Sequence, residues 1–189
     1  MAVIIALALG LALAIQAWIV KPYQIPSGSM EPTLDIGQRV LVNRFIYHVK
    51  DPKIGDVVVF HPPTGADNGT ECGVHEGAHE PCPRPTQGKS DQNFIKRIVA
   101  GPGDELSIKD GHPVVNGVEK SDEPYINPCG GGSQCNLSKT ITIPADMYFM
   151  MGDNRGASDD SRFWGPVPRD WIIGEAFATY WPPDRIGGL

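Results

Sequence analysis

Residues 93–100 spell Asn93-Phe94-Ile95-Lys96-Arg97-Ile98-Val99-Ala100, and Gly101-Pro102-Gly103-Asp104 follows them directly. A run of β-branched residues that ends at a Gly/Pro turn predicts a β-strand. Alternate residues of a strand share a face, so Phe94, Lys96 and Ile98 lie on one side. The predicted strand therefore carries a lysine on an apolar face.

The rest of the chain after residue 20 repeats this pattern of short β-branched runs between turns. The chain has 189 residues with 22 Gly and 18 Pro, and helix-period patterns are scarce in this part. We therefore predict a mostly β fold, a β-sheet or barrel, with one domain-sized core. Loop-rich insertions are expected at about 61–92 and 109–139. The predicted strands cover residues 23–26, 39–43, 57–60, 93–100, 105–108, 112–118, 140–143, 147–151 and 171–180.

The first twenty residues, Met1 to Val20, contain no charge and only one strongly polar residue, Gln16. A helix of about 20 residues spans about 30 Å, the thickness of the hydrocarbon core of a bilayer. A cleaved signal peptide would need a basic start and a small-residue cleavage site, and Lys21-Pro22 follows this segment instead. We predict a retained transmembrane anchor over 1–20 and a β-domain over 21–189. No basic residue precedes the anchor, so the positive-inside rule leaves its orientation open, and a missing cytoplasmic leader would explain this.

The charge and the cysteines restrict the partners and the compartment. The formal net charge of −6 argues against a nucleic-acid partner. Four cysteines form two local pairs, Cys72 with Cys82 and Cys129 with Cys135, in polar loops. Disulfides at both pairs are favoured, which indicates an oxidising, extracytoplasmic location. For the first pair a zinc site remains open, because Cys72, His75, His79 and Cys82 form a C-x2-H-x3-H-x2-C pattern, and free thiols remain open as well.

A serine-containing turn follows the apolar segment within a few residues. It reads Ile25-Pro26-Ser27-Gly28-Ser29-Met30-Glu31-Pro32-Thr33-Leu34. Pro26 stiffens the entry, and Gly28 permits close backbone approach, so Ser29 can be presented as a nucleophile. The N–H of Ser29 and the hydroxyl of Ser27 would provide two donors to an oxyanion. A serine-rich turn whose hydroxyls only bond the backbone is the structural alternative.

A serine nucleophile needs a neighbouring base. The five histidines lie in turn-like or loop contexts, and none has the setting of a catalytic triad. A neutral lysine can serve, and burial can lower its pKa from about 10.4 by the two to three units that activity near pH 8 requires. Lys96 is the candidate. Alternatively, it is an edge-strand lysine whose ammonium reaches solvent.

A polar loop supplies the remaining candidate residues. It reads Gly152-Asp153-Asn154-Arg155-Gly156-Ala157-Ser158-Asp159-Asp160-Ser161-Arg162. A serine of this loop could hold the lysine amine, with Asp160 and Arg162 bracing that serine. A solvated acidic turn is the alternative. The arginines and the lack of a distal bidentate Glu argue against a calcium loop.

The order of these segments resembles that of bacterial type I signal peptidases. The matching pieces are the apolar start, the Pro26–Leu34 turn, Gly55–Phe60, Lys96–Asp104 and Gly152–Val167, about a third of the chain. The resemblance implies a membrane-bound serine endopeptidase with its catalytic domain on the extracytoplasmic side. Such an enzyme removes the signal peptides of exported preproteins after small residues, the Ala-x-Ala type, and uses no metal or cofactor. Its partners would be those signal peptides and membrane lipid.

The resemblance also implies roles for individual residues. Ser29 would be the nucleophile, Lys96 the general base and Ser27 part of the oxyanion hole. Ser158 would orient the lysine amine, with Asp160, Arg162 and Arg97 in support. The substrate pockets would be lined by Tyr23, Ile25, Met30, Leu34, Phe94 and Ile95.

Two other functions remain possible at this point. A self-cleaving serine–lysine regulator of related fold would be soluble and carry a partner-binding region, which the apolar start and the acidic charge oppose. An inactive, membrane-tethered β-domain would share every feature except turnover. Cleavage of a preprotein with an Ala-x-Ala signal would separate the three.

Overall fold

The computed structural model describes residues 1, 3–8, 10–11, 19–66, 72–74 and 79–189. Within these residues, the chain forms an N-terminal helical segment and twelve strands, which are joined by turns, 3-10 segments and a short α-helix, Ser161–Trp164. The strands are β1 (Val20–Gln24), β2 (Arg39–Asn43), β3 (Val57–Phe60), β4 (Phe94–Ala100), β5 (Glu105–Lys109), β6 (His112–Val115), β7 (Val118–Glu119), β8 (Leu137–Thr142), β9 (Met147–Met151), β10 (Val167–Pro168), β11 (Ile172–Trp181) and β12 (Gly187–Gly188). The 3-10 segments are Gly28–Met30, Ile46–His48, Ser133–Cys135, Arg169–Trp171 and Pro183–Arg185.

The strands form two antiparallel sheets. The larger has eight strands in the order β1-β2-β11-β3-β4-β9-β10, with β12 paired to β11, and the smaller runs β7-β6-β5-β8. No pairing joins β1 to β10 among the described residues, so the larger sheet is open rather than a closed barrel. The prediction of a mostly β fold is correct, because the two sheets together contain twelve strands.

Three apolar clusters hold the sheets together. One lies under the Gly28–Met30 turn and includes Met30, Leu34 and Val57. A second packs on the other side of β3 and β4 and includes Val58, Phe60, Ile98 and Trp164. The third joins the smaller sheet to β4 and β9. Strand β4 contributes residues to all three, which places its side chains at the centre of the molecule.

Both predicted cysteine pairs are disulfides. The sulfur–sulfur distances are 2.06 Å for Cys72–Cys82 and 2.07 Å for Cys129–Cys135. The zinc alternative for the first pair is wrong, because both sulfurs are used in this bond. His75 of that pattern lies outside the described residues. No group of three or more His, Cys, Asp or Glu side chains in the described ranges is placed to hold a metal ion.

The predicted membrane anchor falls partly outside the described residues, because residues 2, 9 and 12–18 are not among them. Residues 3–8 and 10–11 are helical. Across the described part of the chain, no helix combines the length and the apolar character that crossing a bilayer requires.

The segment 109–139 is more ordered than a loop-rich insertion. It contains β6, β7 and the start of β8, which with β5 make up the smaller sheet. Residues of this segment also pack against the loop that follows β9, as the contacts below show.

Candidate active site

The Ser29 turn is fixed by the side chain that follows it. Met30 has no exposed surface and belongs to the cluster beneath the turn. The backbone N–H of Leu34 donates to the Met30 carbonyl at 2.9 Å, and Leu34 is also fully buried. These two apolar anchors hold the 3-10 turn Gly28–Met30 against the sheet, so that Ser29 is only 7% exposed.

Lys96 lies in the middle of the larger sheet. Its strand, β4, pairs with β3 on one side and β9 on the other, and Lys96 itself faces Val58 across the ladder. The edge-strand alternative is therefore wrong. Lys96 is 4% exposed, and its Nζ lies 5.5 Å from the centre of the Phe94 ring. The predicted apolar face is thus present.

The Lys96 amine reaches the Ser29 hydroxyl. Nζ donates to Oγ at 2.6 Å, across 67 residues of chain. Burial lowers the pKa of Lys96 to about 8, while the carboxylates of Asp160 and Asp159 act in the opposite direction. A lysine with this pKa is partly neutral at mildly alkaline pH and can accept a proton from the serine.

Ser27 lies next to this pair. Its Oγ donates to the Ser29 Oγ at 3.4 Å, a long contact that leaves the Ser27 hydroxyl free to turn towards another acceptor. Ser27 has an extended backbone, with φ of −139°. Ser27 and Ser29 both line the cavity described below.

The polar loop reaches the site because it follows β9 directly. Met151, the last residue of β9, faces Arg97 across the ladder, so Gly152 begins beside Lys96. A Cβ at Gly152 would lie 2.2 Å from the Ser158 Oγ and 2.4 Å from the Ser29 carbonyl oxygen. Only glycine therefore allows the loop, Ser29 and Ser158 to pack this closely.

Asp160 and Arg162 form a fully buried ion pair that shapes the loop. Arg162 donates to Asp160 through Nε at 2.8 Å and Nη2 at 2.9 Å, and the Gly152 N–H donates to Asp160 at 3.0 Å. Burial raises the pKa of the Asp160 carboxyl, but these donors outweigh burial and hold the pKa below its ordinary value. The carboxylate is also the N-cap of the short helix.

Ser158 packs against Gly152 beside this site. Its Oγ is buried and makes no hydrogen bond to the Lys96 amine. It lies close enough to Asp160 to help lower the pKa of that carboxyl. The role that the resemblance implies for Ser158, orienting the lysine amine, stays a prediction.

Asn154 is a contact residue that the sequence did not single out. Its side-chain Nδ2 donates to the Gly28 carbonyl at 3.0 Å, and its N–H donates to the Ser29 carbonyl at 3.1 Å. The two bonds hold the serine turn from the loop side. The sequence offered only a general signal, the density of Asp, Asn, Arg and Ser.

Two further ion pairs brace the same loop. Arg97 binds Asp153 through two bonds of 2.9 and 2.7 Å, and Thr33 donates to the same carboxylate at 2.6 Å. Arg155, fully buried, binds Glu123 of the 109–139 segment at 2.8 and 3.0 Å. The support predicted for Arg97 is present as a contact, whereas the Glu123 partner was not predicted.

An open cavity of about 540 Å³ adjoins the serine and the lysine. Of the predicted pocket residues, Phe94 and Ile95 line it. The prediction is corrected for Ile25, Met30 and Leu34, which are at most 2% exposed and pack as core beneath the cavity. Tyr23 packs against the same cluster and does not line the cavity. The other lining residues are Pro26, Ser27, Gly28, Ser29, Glu31, Ile36, Gln92, Asn93, Lys96, Asn154, Ala157 and Asp159.

A serine hydroxyl bonded to a buried amine beside an open cleft is the arrangement of a hydrolase with a serine nucleophile. Comparison with known proteins gives the family. The model of the family described as signal peptidase, peptidase S26, matches residues 1–181. The chain therefore belongs to the S26 signal peptidase family and is a signal peptidase enzyme.

Two relatives, from Synechocystis and Leptolyngbya, agree with this assignment. A probable signal peptidase I-2 of Synechocystis sp. is 36% identical over 179 residues, which cover 95% of this chain and 71% of that protein. The signal peptidase I of Leptolyngbya laminosa is 36% identical over 185 residues, which cover 98% and 80%. The crystal structure of a signal peptidase I from Enterococcus faecalis V583 aligns with a TM-score of 0.40 and 23% identity, over 67% of this chain and 97% of that one.

Proposed function

We propose that this protein is a membrane-bound serine endopeptidase that cleaves N-terminal signal peptides from exported preproteins, with Ser29 as nucleophile and Lys96 as general base. One observation carries the proposal: the buried Lys96 Nζ lies 2.6 Å from the Ser29 Oγ. Distance and burial are the two properties that a lysine base needs, because the amine must reach the hydroxyl and must be able to lose its proton.

The first half of the reaction acylates the serine. Neutral Lys96 accepts the Ser29 proton as Oγ attacks the scissile carbonyl carbon. The negative charge on the carbonyl oxygen is stabilised by the Ser29 N–H and the Ser27 hydroxyl. The Lys96 ammonium then returns its proton to the departing amine, which leaves an ester between the signal peptide and Ser29.

The second half releases the peptide. Lys96, neutral again, takes a proton from a water molecule that attacks the ester carbonyl. The same two donors stabilise the second oxyanion, and Lys96 returns the proton to the Ser29 Oγ as the ester bond breaks. Asn154, which binds the carbonyls of Gly28 and Ser29, keeps the nucleophile in place through both halves.

The substrate would bind as an extended strand beside the Tyr23–Ser29 and Asn93–Lys96 segments. Phe94 and Ile95 supply apolar cavity wall next to the serine. Small side chains at the first and third positions before the cut, the Ala-x-Ala type, would fit such a shallow surface.

Membrane attachment belongs to the same proposal. The uncharged segment 1–20 would form a single-pass anchor, and Ser29 follows Val20 by only nine residues. The N–H of Arg44, just after β2, donates to the Ile19 carbonyl at 2.8 Å, which ties the end of this segment to the larger sheet. Two disulfides support an extracytoplasmic catalytic domain. Membrane lipid would then be a partner, and anchoring would raise the local concentration of substrate.

The test is cleavage of a preprotein whose signal ends in Ala-x-Ala by the wild type and by Ser29→Ala. We expect the variant to lose at least about a thousandfold in kcat/KM, because it removes the hydroxyl that the Lys96 amine contacts. Ser121→Ala, at an exposed serine, is the matched control and should cleave like the wild type. Turnover by Ser29→Ala close to that of the control would contradict the nucleophile, and an inactive wild type would favour a binding role.

A further inference from the structure

Two carboxylates line the cleft that contains Ser29 and Lys96. They belong to Glu31 and Asp159, and apart from Lys96 they are the only charged side chains among the lining residues. We propose that Asp159, assisted by Glu31, makes this enzyme favour basic and reject acidic side chains next to the scissile bond. The inference rests on the proposed function, since it concerns the substrates of the same cleft.

Asp159 is placed to meet a substrate. It is exposed, whereas its neighbours Ser158 and Asp160 are buried. With Asn154 and Ala157 it forms the part of the loop that lines the cleft, and it is the one charged residue of the three. Glu31 lies on the serine turn, with its carboxyl carbon 3.0 Å from the position of a Cβ on Gly28. The two carboxylates thus come from the loop and from the serine turn.

Neither carboxylate is neutralised by a neighbouring arginine. Arg162 is the cation closest in sequence to Asp159. Its N–H groups donate hydrogen bonds to Asp160 and to the carbonyls of Arg155 and Ser158 instead. No ion pair joins Asp159 or Glu31 to a cation within the part of the chain that the structure describes. A cationic substrate side chain would therefore meet two carboxylates that form no ion pair within the described residues.

The preference for basic substrate side chains is strongest when Lys96 is neutral, which is the state that reacts. A general base must be neutral before it accepts the serine proton. With Lys96 neutral, the cleft carries two negative charges and no positive one. Partial burial, followed by the charge of Asp160, raises the pKa of the Asp159 carboxyl. The carboxyl nevertheless stays ionised, because the alkaline pH that deprotonates Lys96 lies far above the ordinary pKa of an aspartate, about 3.9.

The proposed specificity limits where a charged residue can enter. Small side chains occupy the first and third positions before the cut, so charge can be placed only at the second position before it and at the two positions after it. Like charges at close range repel, and opposite charges attract, by amounts worth about tenfold in rate at a partly exposed site.

The experiment measures kcat/KM for matched preprotein peptides with Lys, Gln or Glu at each of these three positions. We expect the wild type to cleave the Lys peptide about tenfold faster than the Glu peptide at one position or more. Asp159→Asn should reduce that ratio at least threefold, and the double variant Asp159→Asn/Glu31→Gln should bring it close to one. Asp122→Asn, at an exposed carboxyl outside the cleft, is the control and should keep the wild-type ratio.

The ratio separates substrate selection from an effect on the lysine. Removing the Asp159 charge also changes the pKa of Lys96, but this alters the rate for all three peptides equally and cancels in the ratio. A wild-type ratio near one, or a large ratio that survives both substitutions, would overturn the inference and leave the proposed function intact. If the wild type cleaves none of the peptides, the proposed function fails and the inference fails with it.

Discussion

Replacing Lys96 with methionine is expected to abolish cleavage while making the folded protein more stable. Methionine has nearly the same length as lysine but has no proton-accepting nitrogen. A general base contributes about a hundred- to ten-thousandfold, and serine without its base is a weak nucleophile. We therefore expect kcat/KM to fall at least about a thousandfold in the preprotein cleavage assay.

The gain in stability follows from the pKa of the buried amine. Lowering the pKa from 10.5 to about 8 by burial corresponds to about 3 kcal/mol of destabilisation of the protonated, folded state. Below pH 8 the wild type is destabilised by this full amount, because the folded and unfolded chains both bind the proton. Stability rises between pH 8 and 10.5, where only the unfolded lysine stays protonated. Lys96→Met should therefore gain about 1–3 kcal/mol in free energy of unfolding at pH 7, part of which is offset by the lost hydrogen bond.

Denaturant unfolding at pH 7 and pH 9.5 checks this expectation. The difference between Lys96→Met and wild type should be largest at pH 7 and smaller at pH 9.5. Lys89→Met, at an exposed lysine, is the matched control and should shift the free energy of unfolding by less than about 0.5 kcal/mol at both pH values. A Lys96→Met protein that is less stable than wild type at pH 7 would show that the amine is solvated.

The substitution Gly152→Ala is expected to have the second largest effect. The new methyl group would lie 2.2 Å from the Ser158 Oγ, 2.6 Å from the Ser158 Cβ and 2.4 Å from the Ser29 carbonyl oxygen. Because contacts this short are not tolerated, the serine turn or the loop must move. A displacement of about 1 Å can cost about a hundredfold in rate, so we expect at least that loss in kcat/KM. Overpacking should also cost about 1–3 kcal/mol of stability.

Gly187→Ala provides the comparison for this variant. Nothing lies within 4 Å of a Cβ at Gly187, and its φ is not in the left-handed region. The control should retain wild-type activity and stability within about 0.5 kcal/mol. Full activity of Gly152→Ala would mean that the loop and the serine turn are not packed as closely as the structure has them.

The settings of Ser29 and Lys96, the two residues that we propose as nucleophile and base, could be anticipated because each depends on local sequence. The Gly/Pro-flanked turn presents Ser29, and the alternation of residues 94–98 places Lys96 on an apolar face. The predicted strand boundaries were also close to the observed ones. For example, 57–60 was predicted for β3 (Val57–Phe60) and 93–100 for β4 (Phe94–Ala100). Both follow from short-range patterns that a single sequence carries.

The order of strands could not be predicted, because it depends on distant parts of the chain. Strand β11 inserts between β2 and β3 although it lies more than a hundred residues after them. The pocket prediction failed for a related reason. Ile25, Met30 and Leu34 are apolar residues next to the nucleophile, and sequence alone does not tell whether such a side chain lines a cleft or fills the core below it.

The supporting contacts of the loop were only partly visible in the sequence. Asp160 and Arg162 lie two residues apart, so their pairing could be proposed. Asn154 binds carbonyls 126 and 125 residues away, and Arg155 binds Glu123 from a segment predicted to be an insertion. Such pairs require knowledge of which segment packs on which, and no local pattern gives it.

The most direct test of the central claim, a buried and titratable Lys96 bonded to Ser29, is the pH dependence of kcat/KM for the wild type. This ratio reports the ionisation of the free enzyme. Because only the neutral amine can accept the serine proton, activity should rise from pH 6 to 10 with a midpoint at about pH 8. A profile that is flat over this range, or one whose midpoint lies near 10.5, would contradict the account.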